Sequence, residues 1–248
     1  MTDLLKSEWI KLRTVRVNYV LTIIAAAIPI IVVTLVAALS SRVQQTADDF
    51  AGGVTATLVL TALLLGVVGA LNLTSEFSHG TIRVTFAAVP QRRNVLLAKA
   101  IVSLLATMVL ATIIELVSFG IGAGILSGRG ADIALRPSDK AAMASAVLLA
   151  GMLSVLGYGI GLLIRNSPAT IAVLILWPLL LENLVRAVLS AAGVSNQTPW
   201  LPYQSAITML NPSTDSGDPS RLHGALYLGT IVVVLVAVGI FVNERRDA

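Results

Sequence analysis

The chain contains no cysteine. Disulfides, thiolate metal sites and cysteine nucleophiles are therefore excluded. Charge is scarce as well. Only 12% of the 248 residues are charged, where a soluble domain carries about a quarter. Too little polar surface exists to cover a water-soluble globule. Histidine occurs twice, as His79 and His223. No G-x-x-x-x-G-K-[ST] is present, so the chain does not cradle nucleotide phosphates by that route. H-E-x-x-H and G-x-S-x-G are missing too.

What is present is apolar. Hydrophobic residues make up 56% and mean hydropathy is +0.88. With a net charge of only +4, disorder is excluded. An integral membrane protein remains. A spanning helix needs about 20 mostly apolar residues. Six stretches qualify: 17–40, 53–73, 97–126, 141–164, 168–190 and 224–243. Pro29 and Pro178 lie inside the first and fifth, where proline kinks a helix and neighbouring helices satisfy the freed carbonyl. The chain reads as one transmembrane domain over 1–248, all-α, without room for a large soluble domain.

The first span is preceded by Lys6, Lys11, Arg13 and Arg16, which hold the N-terminus in the cytoplasm. Its apolar run is too long for a signal peptide, whose core is about 7–15 residues. Six spans return the C-terminal Asn243-Glu244-Arg245-Arg246 to the same side. On this topology 11 basic residues fall inside: the four above with Arg83, Arg92, Arg93, Lys99, Arg165, Arg245 and Arg246. Outside fall 6: Arg42, Arg129, Arg136, Lys140, Arg186 and Arg221. The basic balance is a topology signal, and no nucleic-acid pattern accompanies it.

Two cytoplasmic pieces stand out. Residues 3–15 place Leu5, Trp9 and Leu12 on one side of a helix, although Glu8 and Ile10 blur the stripe. An interfacial helix with Trp9 at headgroup depth fits, and so does an ordinary anchor flank. The loop 75–93 holds Ser75-Glu76-Phe77-Ser78-His79-Gly80-Thr81-Ile82-Arg83, then Pro90, Arg92 and Arg93, with Lys99 beyond. Gly80 can break the outgoing helix and Pro90 can end the next segment. The loop can present a short helix to a partner, or it is simply a positive-inside loop.

Ser7-Glu8-Trp9-Ile10-Lys11-Leu12-Arg13 resembles the N-terminus of bacterial ABC-2 type transporter permeases. Ser75-Glu76-x-x-His79-Gly80-Thr81-Ile82-Arg83 with Pro90-x-Arg92-Arg93 and Lys99 resembles that family's cytoplasmic loop. Gly157-x-Gly159-x-Gly161-Leu-Leu-Ile-Arg165-Asn166 and Trp200-Leu-Pro202 add later matches. The resemblance covers essentially the whole chain and rests on the order and spacing of the motifs. It implies a type V ABC exporter-like membrane subunit in the bacterial plasma membrane. Two separate ABC ATPase subunits would bind ATP and Mg. They would dock on the interfacial helix and on the 75–93 loop through Glu76, Phe77, His79, Gly80, Thr81, Arg83, Arg92 and Arg93. A second permease chain, identical or homologous, would complete the path, with lipids as further partners. Amphipathic drugs, peptides and lipids are all fitting cargo. Leu126-Ser127-Gly128-Arg129-Gly130 looks like an ABC signature but lies at the outer end of a span, away from ATP.

Glu115, Glu182 and Arg186 lie within spans, where ionisable residues are costly. Glu182 and Arg186 are spaced to pair on one helix face. The carboxylates read either as a path or proton site or as buried helix ties. Neither repeats a known ion-site pattern, which favours ties. An ion-gradient carrier using Glu115 and Glu182 is the alternative to an ATP-driven exporter, and a non-transporting scaffold is a third class. Gly120-x-x-x-Gly124 and Gly157-x-x-x-Gly161 fit close helix packing, within one chain or across a dimer. Residues 191–223, with Pro199, Pro202, Pro212 and Pro219, read as an outer stretch bearing a short re-entrant or surface helix. An enzyme is not expected: His79 and His223 lie on opposite faces, about 30 Å apart across the hydrocarbon.

Overall fold

Long runs of Leu, Val, Ile and Ala leave the backbone one route to satisfy its polar groups without water or a closed barrel, the α-helix. The computed structural model describes residues 2–39, 47–89, 91–131, 133, 135–194, 197–210 and 219–245, with no strand among them. Expectations placed on Arg42, Pro90, Pro212 and Arg246, and on the side chain of Arg13, fall outside the described parts. The helices are α1 (Thr2–Thr14), α2 (Arg16–Leu39), α3 (Ala47–Ser78), α4 (Thr81–Ala88) and α5 (Arg92–Gly128). Then follow α6 (Pro137–Ile164), α7 (Ser167–Leu176), α8 (Glu182–Ala191), α9 (Pro202–Ile207) and α10 (Arg221–Arg245). Six are long and apolar enough to cross a membrane: α2, α3 from Phe50, α5, α6, the continuous α7–α8 and α10.

One expectation needs correction. Ser75–Ser78, read as loop, continue α3, and Arg92 already begins α5. The 75–93 segment is therefore mostly helix, with its turn at His79-Gly80. In the first span the carbonyl freed by Pro29, Ala25 O, accepts from Thr61 Oγ1 of the neighbouring α3 at 3.3 Å. The fifth span holds Pro178. The chain widens into a π-helical turn over Trp177–Leu181, and Glu182 N–H donates to Trp177 O. Asn183 Nδ2 donates to Leu179 O at 2.9 Å.

α3 and α6 form the centre, and glycine lets them touch. A Cβ at Gly69 would lie 2.3 Å from Ser154 O, and one at Gly157 would lie 2.5 Å from Gly66 O. A Cβ at Gly161 would stand 2.8 Å from Thr74 Cγ2. Gly157 and Gly161 thus pack within the chain. Gly120 and Gly124 do not share that role, because nothing among the described residues lies within 4 Å of their Cβ positions. Polar side chains stitch the same centre. Asn72 Nδ2 donates to Ser103 Oγ at 3.0 Å, and Thr107 Oγ1 donates to Ser154 Oγ at 3.0 Å. These bonds join α3 to α5 and α5 to α6, satisfying groups that would be costly to bury alone.

One end of the bundle gathers α1, the end of α3, α4, the start of α5, the α6–α7 turn and the end of α10. Tyr158 Oη donates to Leu96 O at 2.8 Å. Arg165, in left-handed backbone with φ 55°, bonds Asn243 Oδ1 through Nε at 3.0 Å and also through Nη2. Asn243 Nδ2 returns to Leu162 O at 2.8 Å. Asn166 caps α7 by accepting from Ala169 N–H at 3.0 Å. At the opposite end α9 plugs the bundle. Tyr203, Ala206, Met209 and Leu210 join the core of Leu149, Leu153 and Leu228. Gly224 admits α9, since its Cβ would lie 2.2 Å from Ser205 O.

Gly69→Ala and Gly157→Ala are expected to lower the melting temperature in detergent, through overpacking of about 1–3 kcal/mol each. Gly124→Ala, facing open space, is expected to leave it unchanged or slightly higher. Equal melting curves for all three would contradict the central role of the α3–α6 contact.

Candidate functional site

α1 explains itself only through a charge. Leu12 is buried against Val102 and Ala106 of α5, with Leu5 half-buried beside it. Between them on the same face sits Glu8, 1% exposed. The residue that seemed to blur the apolar stripe is its centre, while Trp9 turns outward at 45% exposure. Trp9 therefore remains free to lie at an interface.

Glu8 is buried because Lys99 is waiting for it. Lys99 lies on α5, fully enclosed, and its ammonium bonds Glu8 Oε2 and, at 2.7 Å, Glu76 Oε1. Lys11 closes the lattice, 2.8 Å from Glu8 Oε1 and 3.2 Å from Glu76 Oε1. Two carboxylates and two ammonium groups thus tie α1, the end of α3 and the start of α5. Burial lowers the Lys11 pKa, but hydrogen bonding from Glu8 and Coulombic attraction from Glu76 and Glu8 outweigh it. The pKa stands above the usual lysine value. The stabilisation is complete below the ordinary lysine pKa and is lost only as pH rises through the raised one, so it persists at neutral pH.

α4 hangs from this lattice. Gly80, at φ +70°, turns the chain out of α3 in a conformation that favours glycine. Ile82 and Phe86, four residues apart, bury themselves against Val95, Leu96 and Tyr158. The other face of α4 is bare: Thr81, Arg83 and Val84 are exposed. The loop residues expected to act together are thus divided. Glu76 is internal. Phe77 lies under the Arg165 guanidinium at 5.0 Å. His79 is exposed and donates from Nδ1 to Ser75 O at 2.7 Å. Arg92 stacks on Phe86 at 5.4 Å, and Arg93 is exposed. Between α1–α2 and α3–α4 runs a groove of about 530 Å³, lined by Lys11, Asn18, Asn72, Glu76, His79 and Thr85.

The intramembrane charges have separate fates. Glu182 does not pair with Arg186, contrary to their spacing. Its Oε1 accepts from Trp177 Nε1 at 2.9 Å and from Tyr203 N–H at 2.9 Å, and its Oε2 accepts from Gln204 N–H at 3.0 Å. Backbone N–H groups at a helix start attract a carboxylate more strongly than an exposed arginine does. Arg186 bonds Asn183 Oδ1 at 3.1 Å instead. Burial first, then the Glu182 carboxylate, push the Tyr203 phenol up to about 12. Glu115 is 3% exposed, and its Oε1 has no hydrogen-bond partner among the described residues. Glu182 and Glu115 share no partner there.

The sequence reading left Glu8 out of the site and took Lys99 as an inside charge and a part of the loop motif, not as a buried partner. The signal lay in their spacing: Glu8 falls between Leu5 and Leu12 at helical intervals, and Lys99 lies two turns inside an apolar helix.

Fold and site together define a multi-pass membrane protein with a clamped, charged end and no nucleotide motif of its own. Over residues 4–180 the chain matches a family model described as ABC-2 family transporter protein. It belongs to that family and is an ABC-2 type permease, the membrane component of an ABC transporter. No curated protein matches it.

Lys99→Met is expected to cost up to about 3–5 kcal/mol, because it removes the buried cation between Glu8 and Glu76 and leaves the half-exposed Lys11 to serve both carboxylates. The double substitution Glu8→Met, Lys99→Met should recover most of that loss. Thermal melts of the four proteins in one double-mutant cycle measure the coupling, and additive losses would refute the lattice.

Proposed function

We propose that the chain is the permease subunit of an ATP-driven exporter with a type V-like arrangement. The observation that carries the reading is α4, a short helix with one face buried through Ile82 and Phe86 and one bare, joined by a two-residue turn to the end of α3 that the four-charge lattice ties to α1 and α5. ABC-2 permeases generally work with ABC ATPases. A bare helix on a rigid base suits transmission of a push, because a load on α4 reaches α3, the central helix, through a two-residue turn.

On this reading α1, α4 and both termini face the cytoplasm of a bacterial plasma membrane. Two ATPase subunits, holding ATP and Mg, engage the bare face of α4 and the outer face of α1. A second permease chain, identical or homologous, completes the path. The cargo is an amphipathic drug, peptide or lipid. ATP must bind one arrangement of the pair more tightly than the other to drive the change of access. The alternative, a carrier driven by an ion gradient through Glu115 and Glu182, is the weaker reading, since Glu182 has spent both oxygens on three N–H donors.

Glu76 is a poor test of coupling because its loss disturbs the lattice. Arg83 is a clean one. Arg83→Glu in the full complex is expected to reduce ATPase co-purification or cargo-stimulated hydrolysis at least tenfold, with membrane insertion and melting unchanged. Normal coupling in Arg83→Glu combined with His79→Ala would sink this assignment of the docking face.

A further inference from the structure

A groove runs down the outside of the bundle at the end shared with α1. Its volume is about 440 Å³, and it lies between α5 and α10, both of which pack on α6. Leu97 of α5, Val155 of α6 and Val232, Val236 and Ile240 of α10 line it. The rim is open to the side: Val233 is 67% and Phe241 52% exposed. From Val232 to Glu244 α10 advances twelve residues, about 18 Å at 1.5 Å per residue. One leaflet of the hydrocarbon is half of about 30 Å deep. The groove therefore has the depth of a single leaflet and the polarity of its interior.

The mouth carries both signs of charge. Arg93, in the first turn of α5, and Glu244, in the last turn of α10, line the groove and are both exposed. Neither side chain is ion-paired or hydrogen-bonded among the described residues. Two opposite charges thus share one mouth without closing on each other. The cations beside them in sequence have partners of their own. Arg245 is turned onto the Phe241 ring at 4.2 Å, and Arg92 onto Phe86 at 5.4 Å.

A groove that opens on lipid is filled by lipid tails, because empty space forfeits dispersion contacts. Tails are as apolar as leucine, so the walls alone make little choice among them. The headgroup makes the choice. A guanidinium grips a phosphate through paired N–H donors, and a carboxylate accepts from a primary ammonium. We propose that this groove holds a phospholipid of the phosphatidylethanolamine type, with one acyl chain along α10, its phosphate on Arg93 and its ammonium on Glu244. A phosphate and an ammonium joined by a short linker match both ions at once. An anionic headgroup leaves Glu244 unmatched, and a quaternary ammonium has no N–H to donate to it. The inference holds whichever membrane face carries α1 and whatever drives transport.

The test uses the full chain in lipid nanodiscs doped with phosphatidylethanolamine carrying a mid-chain diazirine. Phosphatidylcholine and phosphatidylglycerol with the same chain run in parallel, and crosslinks are mapped by peptide mass spectrometry. The amine lipid is expected to label the groove about two- to fivefold more than the other two, the worth of one exposed ion pair. Glu244→Gln should erase that preference, and Arg93→Gln should lower groove labelling by all three lipids by a similar factor. Both side chains are exposed, so these variants leave the core intact. Ala237→Trp, at an exposed position on the groove, should abolish labelling there and leave it unchanged on the exposed face of α2. Equal labelling by the three lipids, or a preference that survives in both charge variants, would overturn the proposal. Stronger labelling by phosphatidylglycerol would also overturn it and mark the mouth as a basic patch only. The chain has no cysteine, so Ala237→Cys supplies a single thiol. A disulfide-linked dimer through it, with the groove unlabelled, would give the groove to a second copy and end the lipid reading.

Discussion

Everything at the charged end depends on the burial of one ammonium group. Lys99 lies two turns inside α5 with no exposure, and removing such an ion from water costs several kcal/mol. The cost is offset only if both carboxylates arrive. Glu76 comes from the same hairpin, but Glu8 must be carried in by α1, 91 residues away. The docking of α1 is therefore a condition for a tolerable α5. A well-packed apolar pair would serve stability as well or better. What the lattice adds is uniqueness, since a slip of α1 by one residue would strand three charges.

The second fastening is steric and lies on the same helix. Gly66 and Gly69 press α3 against α6, and seven residues beyond Gly69, about 10 Å along the axis, Glu76 enters the lattice. α3 is thus held at its centre by close contact and at its end by charge. α4 follows directly through Gly80. A displacement of α4 has little slack to absorb it before it reaches the central helix pair. The peripheral spans are different. α2, α7–α8 and α10 leave large apolar side chains such as Ile23, Leu180 and Val233 exposed, the surface that lipid or another chain covers.

Hydropathy made the six spans legible, because the bilayer constrains length and composition and those are visible in any window. The motif order around Ser7–Arg13 and Glu76–Arg83 made the family legible. Pairing was not. Glu8 looked like a defect in an apolar stripe because a one-dimensional pattern treats every charge as exposed. Its partner is distant in sequence. Glu182 and Arg186 erred in the opposite direction: spacing brings two side chains within reach, but a carboxylate goes to the strongest donors available, here the N–H groups of α9. Glycine spacing showed the same limit. Gly157 and Gly161 touch α3 while Gly120 and Gly124 meet no neighbour among the described residues, although the motifs are identical in form.

These pairings bear on where energy enters. Two intramembrane carboxylates invite a gradient-driven mechanism only if both are free to bind and release an ion. Glu182 is not free: its release would unseat the start of α9 and the Trp177 side chain together. One carboxylate, Glu115, is left on α5, and it shares no hydrogen-bonded path with Glu182 among the described residues. At the other end of the molecule the exposed face of α4 stands on a base that is rigid by construction. A mechanism that pushes on α4 uses what the fold makes stiff. One that cycles Glu182 must break what the fold has closed.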